Sequence, residues 1–271
     1  MTQILTFDRF GPEHLDAALR LSQEAGWPHR RDDWALVASV SDGLVGLQDG
    51  QVVATAMATP FGAVSMANMI IVDQKMRGQG LGRGIMTRVL ELTSASAWRL
   101  VATQAGLPLY RKLGFEECGL VHQHQGRVAA LPAPDGVRLG SLSDLPEIRA
   151  MDAAATAADR SRLLAELLRH GTVALVEGKG FAISRDFGRG RVVGPVIADD
   201  AETARQLLAF LIAGHEGEFI RVDTPDDPGL SDWLAGLGLL RVDTGVAMQR
   251  GETHPLTGTF SRHALAAQAL G

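Results

Sequence analysis

The segment Ile70-Ile-Val-Asp-Gln-Lys-Met-Arg-Gly-Gln-Gly-Leu-Gly-Arg-Gly84 combines an apolar run, a short polar loop and closely spaced glycines. The apolar run reads as the end of a buried strand, and a helix is expected to begin among the glycines. The first N–H groups of a helix have no partner within it, and the helix dipole places positive potential beside them. Such a loop suits a phosphate or pyrophosphate. Glycine removes the Cβ atoms that would keep a ligand off the backbone, and Arg77 adds a positive charge. A dinucleotide fingerprint does not fit: counted from Gly78 its third glycine falls on Arg83, and counted from Gly80 it falls on Ile85. A Walker loop does not fit either, because no lysine follows the glycines. The spacing present is Arg77-x-x-Gly80-x-Gly82. From the loop alone, a phosphate-bearing ligand and a ligand-free glycine turn both stand.

Downstream lies Leu109-Tyr110-Arg-Lys-Leu-Gly-Phe115, and Tyr110 is the only tyrosine of the chain. A phenol of ordinary pKa, about 10, carries its proton at neutral pH and can donate it to a leaving thiolate. On these two segments the chain resembles the GNAT superfamily of acyl-CoA-dependent N-acyltransferases, over about residues 3–125. The resemblance implies that Arg77, Gly78, Gln79, Gly80, Leu81, Gly82 and Arg83 hold the pyrophosphate of coenzyme A. It implies that the backbone of Ile70, Ile71 and Val72 pairs with the pantetheine arm, one N–H polarising the thioester carbonyl. Tyr110 would protonate the departing sulfur, and the acyl group would pass directly to an amine in a ternary complex. Acetyl-CoA is the expected co-substrate, with no metal.

The acceptor side is less defined. The family often places a glutamate on the central strand as base, whereas this strand offers Asn68. An asparagine cannot take the proton; it can orient a water or the acceptor, or simply be a buried amide bonded to the next strand. His122 and His124 alternate on the last strand of the first half and share one face. They can relay a proton or be packed and solvated. The loop Trp27-Pro-His-Arg-Arg-Asp-Asp-Trp34 joins two helices that in this family rim the acceptor pocket. Its tryptophans can bind a cationic amine or merely anchor the loop. Trp27, His29, Asn68 and His124 are therefore the candidate acceptor residues.

Positioning these groups needs a mixed α/β (α+β) frame. Hydrophobic periodicity predicts a helix after Pro12 and another over Asp32 to Val40, then strands over Leu44–Gln48, Val52–Thr59 and Val64–Val72. A helix follows with Ile85, Met86, Val89, Leu90 and Leu92 on its buried side, then a strand at Arg99–Thr103, a helix over Leu107 to Lys112 and a strand over Phe115–His124. The Pro-rich stretch 129–136 marks a boundary. Beyond it the same order recurs, with a helix from Asp144 capped by Ser143, and Leu113-Gly114-Phe115 aligns with Leu237-Gly238-Leu239. Two tandem GNAT-like domains are expected, over 1–130 and 131–250, each a mostly antiparallel sheet flanked by helices. The second resembles the second module of tandem-GNAT bacterial acetyltransferases with its chemistry removed. Ile197-Ala-Asp-Asp-Ala-Glu-Thr-Ala204 replaces the glycine loop, and Leu234 stands where Tyr110 would. Residues 251–271 read as a helical tail.

Composition sets outer bounds. The chain has 271 residues, a formal net charge of −5 and a sequence pI near 5.9. These values give no reason to expect a polyanion-binding surface or a nucleic-acid partner. The single cysteine, Cys118, excludes an internal disulfide. No apolar run reaches the ~20 residues that span a bilayer, and the N-terminus lacks a secretory leader. These features predict a soluble, cytoplasmic protein; the resemblance implies an enzyme that acetylates the amine of a small molecule, and the negative net charge adds a slight lean toward cationic acceptors. Two other classes stay open: an acyl-CoA-binding sensor without turnover, and a structural pair of pseudo-enzymes. A homodimer also stays open.

Overall fold

The computed structural model describes residues 5–252, 256 and 258–271. The first half runs β1 (Leu5–Arg9), α1 (Leu15–Glu24), α2 (Arg31–Ser39), β2 (Asp42–Gln48), β3 (Gln51–Phe61), β4 (Val64–Val72), α3 (Leu81–Val89), β5 (Ala97–Ala102), α4 (Leu107–Lys112) and β6 (Glu116–Arg127). The second half repeats it with β7 (Arg138–Leu139), α5 (Leu145–Thr156), α6 (Ser161–His170), β8 (Thr172–Val176), β9 (Gly180–Phe187), β10 (Gly190–Ala198), α7 (Ala201–Ile212), β11 (Phe219–Pro225), α8 (Pro228–Gly236) and β12 (Leu240–Gly251). A last strand, β13 (Ser261–Ala264), follows. Among the described residues no helix is long and apolar enough to cross a membrane.

Local chemistry accounts for the elements. The β2–β3 turn is Asp49-Gly50, both at positive φ (50° and 80°), which matches the twist of a two-residue hairpin. Helix α3 buries Ile85, Met86 and Val89 and ends there, so Leu90 and Leu92 pack from beyond its last turn. The repeat holds down to single hydrogen bonds at the ends of α4 and α8. Phe115 N–H donates to Tyr110 O and Leu239 N–H to Leu234 O, each at 3.0 Å, with Gly114 and Gly238 left-handed just before them.

The halves are joined in one sheet of order β1-β2-β3-β4-β5-β12-β6-β11-β10-β9-β8-β7, with β13 on β10. Only the β4–β5 and β10–β11 neighbours are parallel; the other pairs are antiparallel. Each half has surrendered its last strand: β12 lies between β5 and β6, and β6 lies between β12 and β11. On one face, α1, α2, α5 and α6 share a single apolar core that spans both halves. On the other face, α3 and α4 cover the first half, and α7 and α8 cover the second.

Both parallel pairs part early. Strand β4 pairs with β5 only at Val64, Ser65 and Met66, and β10 pairs with β11 only at Arg191 and Val192. The parting therefore begins well before Val72. In the second half the gap is filled by the chain's own C-terminus: Val196, Ile197 and Ala198 pair with Ala264, Arg262 and Ser261 of β13.

Two expectations are corrected here. The tail is a strand followed by a tight turn, not a helix; its small and apolar residues Ala264, Leu265, Ala266, Ala267 and Leu270 are buried because sheet and core enclose them from several sides. Residues 253–255 and 257 of that tail lie outside the described residues. Ser143 does not cap α5: it lies inside a 3-10 turn (Leu142–Asp144) whose N-cap is Ser141, with Ser141 N–H donating to the Asp144 carboxylate at 2.7 Å, and Asp144 is the N-cap of α5.

The tail is held by a buried ion pair. Arg160 donates from Nη2 and Nε to the Asp152 carboxylate at 2.5 and 3.0 Å, and from Nη1 to the carbonyls of Leu270 and Gly271. Removing one partner of such a pair leaves the other charge buried. Arg160→Met is expected to cost about 3–5 kcal/mol, read as a lower urea midpoint, and adding Asp152→Leu should recover part of it. An unchanged midpoint would mean that this pair does not anchor the tail.

Candidate active site

The glycine loop leads into α3 as its sequence requires. Gly78 and Gly80 adopt φ of 77° and 81°, and Gly80 is the N-cap residue. A Cβ at either would meet no protein atom within 4 Å, so the space beside them is open. Gly82 serves packing instead. A Cβ there would lie 3.3 Å from Leu109 and 3.7 Å from Val72, so its absence lets α3 sit close to β4 and α4. The first intrahelical bond is donated by Gly84 N–H to Gly80 O at 2.9 Å. The N–H groups of Leu81, Gly82 and Arg83 are thus left for an outside acceptor. Arg77 Nε donates to Val72 O at 3.3 Å, which ties the loop to the strand end. Gln79 donates back to Lys75 O.

Strand β4 carries a bulge that the sequence does not announce. In the pairing with β3, Asn68 faces Met57 and Ile71 faces Thr55, so Met69 and Ile70 together oppose one residue. Met69 takes φ of 49°, rare for a residue with a side chain, and its carbonyl accepts from Thr55 Oγ1 at 2.8 Å. From Ala67 onward β4 has lost β5, so the edge of Ile70, Ile71 and Val72 faces the gap.

A cavity of about 390 Å³ opens at this bulge. Trp27, His29, Asn68, Ile70 and Tyr110 line it together with Gln123, Gln125, Phe187, Arg189, Arg221, Asp243 and Gln268. Tyr110 is buried, and its ring occupies space that a side chain at residue 106 would take, 2.7 Å from a Cβ on Gly106. Its hydroxyl has no hydrogen-bond partner among the described residues, and burial pushes its pKa up to about 12. Asn68 donates from Nδ2 to Thr59 Oγ1 at 2.7 Å, while its buried Oδ1 has no partner among the described residues. An unpaired buried acceptor is costly, of order 1–3 kcal/mol, and marks a place for a donor.

His29 sits edge-on to Trp27, Trp34 and Phe187. Its Nδ1 is 3.2 Å from Ser22 Oγ, which also accepts from Trp34 Nε1. Desolvation first, then Arg221 and Arg185, lower its pKa to about 4 against the opposing pull of Asp33. The ring is therefore neutral at neutral pH.

His124 is not in this cavity. Strand side chains alternate, and in β6 it is Gln123 and Gln125 that face the cavity. His124 instead bonds Ser231 Oγ of α8 at 3.2 Å, and His122 bonds Thr244 Oγ1 and Asp226. The histidine face of β6 packs toward α8 and β12, away from this cavity. The residues that sequence reading missed come from β6 and from the second half, which strand exchange brings alongside. The β9–β10 turn docks on the first half: Gly188 N–H donates to Asp33 Oδ2 at 3.0 Å, and a Cβ there would be 3.1 Å from Pro28 O. The β3–β4 turn docks reciprocally, with Asp159 N–H donating to Phe61 O at 3.0 Å. Alternation along β6 could have singled out its glutamines; no local signal could have placed Phe187, Arg189 or Arg221.

The corresponding region of the second half differs in three respects. Asp200 caps α7 and accepts from Thr203 N–H at 2.7 Å. Leu234 is fully buried at the tyrosine position. Strand β13 covers the edge of Val196–Ala198, which corresponds to Ile70–Val72. Among the described residues no group of three or more His, Cys, Asp or Glu is arranged to hold a metal.

Comparison with known proteins agrees with this geometry. Residues 40–117 and 148–259 each match a family model described as an acetyltransferase (GNAT) domain. The chain is 30% identical over 276 residues to a Bacillus subtilis (strain 168) protein named Uncharacterized N-acetyltransferase YitH, covering 96% of both. Among solved structures, a Pyrococcus horikoshii protein thought to be an acetyltransferase superposes with a TM-score of 0.86 at 17% identity, over 98% of this chain and 96% of that one. A tandem GNAT protein from the clavulanic acid biosynthesis pathway gives 0.64 at 14% identity, over 93% and 100%.

The neutral His29 makes the site acid-sensitive. Its folded pKa lies below the unfolded value of about 6.5, so its contribution to stability is complete above pH 6.5 and is lost as pH falls toward 4. His124 and His263 are lowered in the same direction. Urea midpoints measured from pH 7 to 4.5 should fall, and His29→Phe should flatten that fall; an equal slope in the variant would contradict the burial of a neutral ring.

Proposed function

The chain belongs to the GNAT acetyltransferase family, and on that premise we propose that it moves an acetyl group from acetyl-CoA to the amine of a small molecule, within a ternary complex. One observation carries this reading: the freed edge of β4 at Ile70 and the buried, protonated Tyr110 meet in one cavity, and the same strand runs on into the open start of α3. The groups present fit the co-substrate. The N–H groups of Leu81, Gly82 and Arg83, with Arg77 beside them, take the pyrophosphate, and the open space at Gly78 and Gly80 admits it. The free edge of Ile70, Ile71 and Val72 offers peptide-like hydrogen bonds to the amide-bearing arm.

When bound, acetyl-CoA supplies a thioester, whose acyl carbon exchanges its C–S bond for a C–N bond to the amine. The bulge at Met69 turns the β4 backbone out of its ladder, where an N–H can polarise the thioester oxygen. Tyr110 keeps its proton across the neutral range and donates it to the departing sulfur, and the proton that the attacking nitrogen sheds returns to the phenolate through water. Asn68 Oδ1 accepts from an N–H of the incoming amine. Trp27, His29 and Phe187 wall the acceptor end and exclude water. The acceptor must arrive as, or become, a neutral amine before attack.

The second half is proposed to hold no cofactor. Asp200 occupies the helix start with a carboxylate, and β13 takes the lane along β10. Its role is to complete the wall of the first site.

Calorimetric titration with acetyl-CoA is expected to give one site per chain. Gly80→Asp, which brings a carboxylate to the helix start as Asp200 does in the second half but strains the left-handed backbone at φ 81°, should weaken binding on the order of 100-fold through a charge set against the pyrophosphate, with a melting curve of the variant checking that the fold is kept. Tyr110→Phe should lower kcat on the order of 100-fold while leaving acetyl-CoA affinity unchanged. Two sites would overturn the closed second half. Binding without thiol release, for any amine offered, would replace the enzyme by a sensor.

A further inference from the structure

The charge inside the cavity is not that of the whole chain. Five titratable side chains line it: His29, Tyr110, Arg189, Arg221 and Asp243. His29 and Tyr110 are neutral at neutral pH, since burial disfavours the charged form of each. Asp243 is exposed and accepts from its neighbour Thr244 N–H at 2.8 Å. The other two are arginines, and both come from the second half.

Arg221 stands next to Gln125 across the β11–β6 ladder. It grips Asp223 with Nε, at 3.0 Å from both oxygens, and with Nη2 at 2.9 Å. Its Nη1 makes no hydrogen bond among the described residues. Arg189 follows the β9–β10 turn, is exposed, and has no hydrogen bond or ion pair among the described residues. Phe187 lines the same cavity, with the guanidinium carbon of Arg221 5.3 Å from its ring centroid and that of buried Arg185 at 5.0 Å. Arg185 Nε is buried without a partner among the described residues. Two guanidiniums, one buried 3.8 Å from the Asp33 carboxylate and one held rigidly by Asp223, thus flank one aromatic wall, and a third with its fork free lines the same cavity. Such an arrangement offers several N–H donors, while the carboxylate in the lining, Asp243, is exposed and engaged with the Thr244 N–H, and that of Asp223 is taken up by Arg221.

We infer that this end of the cavity is an anion subsite, so that the acceptor is a small amine which also carries a carboxylate or a comparable anionic group. The inference rests on the acyl-transfer reading of the same cavity. The amine points to Asn68 and Tyr110, and the anionic group is held by Arg221 Nη1 and Arg189. The pairing of Arg221 with Asp223 keeps its guanidinium plane fixed, and the docked turn at Gly188 fixes the path of Arg189. This reverses the lean toward cationic acceptors drawn from net charge, because substrate feels the nearby arginines before the screened surface of the chain.

The test is thiol release from acetyl-CoA with matched acceptors: α-amino acids, ω-amino acids of two to six carbons, and the corresponding monoamines and diamines that lack the carboxylate. The carboxylate-bearing members should have kcat/KM at least tenfold higher. Arg189→Ala should raise their KM about 10–100-fold, Arg189→Lys should restore part of it, and neither should alter acetyl-CoA affinity. Equal or better turnover of the uncharged-tail amines and diamines would overturn the inference. So would an unchanged KM in Arg189→Ala. Calorimetry of the same amino acids without acetyl-CoA separates the two levels: saturable binding lost in Arg189→Ala upholds the anion subsite even if transfer fails, and no binding in either assay overturns it.

Discussion

Backbone pairing between β6 and β12 is the interaction on which the rest of the structure depends. The two strands lie side by side over most of their length, and each is also the neighbour of a strand from the other half. Neither half can complete its own sheet. The exchange carries Arg221 and Phe187 to a cavity whose loop, bulge and tyrosine belong to the first half. It also merges the helices α1, α2, α5 and α6 over one continuous core. A site assembled in this way is as rigid as the sheet beneath it.

What could be read from the sequence was local. The glycine loop, the Asp49-Gly50 turn, the segment around Tyr110 and the short α4 announce themselves through residues within a few positions of one another. The pairing of strands is different, because β6 and β12 lie far apart along the chain and leave no mark of their partnership in either strand alone. Reading β6 correctly as a strand still left its two faces undecided, and the histidine face turns away from the cavity. Gln123 and Gln125 look inert in a sequence and become cavity lining once β11 and β12 flank them. The bulge at Met69 was hidden for the same reason: an extra residue in β4 is defined only against β3. The tail was misread because a short run of alanine and leucine has no clear period when it is enclosed from several sides.

The two halves also show how little distinguishes an open site from a closed one. Both carry a bulge at corresponding positions of β4 and β10, and both let the next parallel strand diverge. In the first half the helix start is glycine and the strand edge is bare. In the second, a carboxylate satisfies the helix start and β13 satisfies the edge. Backbone groups that invite a ligand on one side have a covalently attached partner on the other. The same tail then continues through Ala267, Gln268 and Ala269 into the wall of the first cavity.

The reciprocal trade of last strands has an implication for how such a chain could arise. Two separate copies of a half-length protein would satisfy the same ladder by swapping their closing strands across a two-fold axis. Joining them end to end turns that concentration-dependent contact into an intramolecular one. Once tethered, one copy need keep only its shape. Its own reaction centre can then decay into a scaffold, while its surface is recruited to shape the neighbour's choice of substrate.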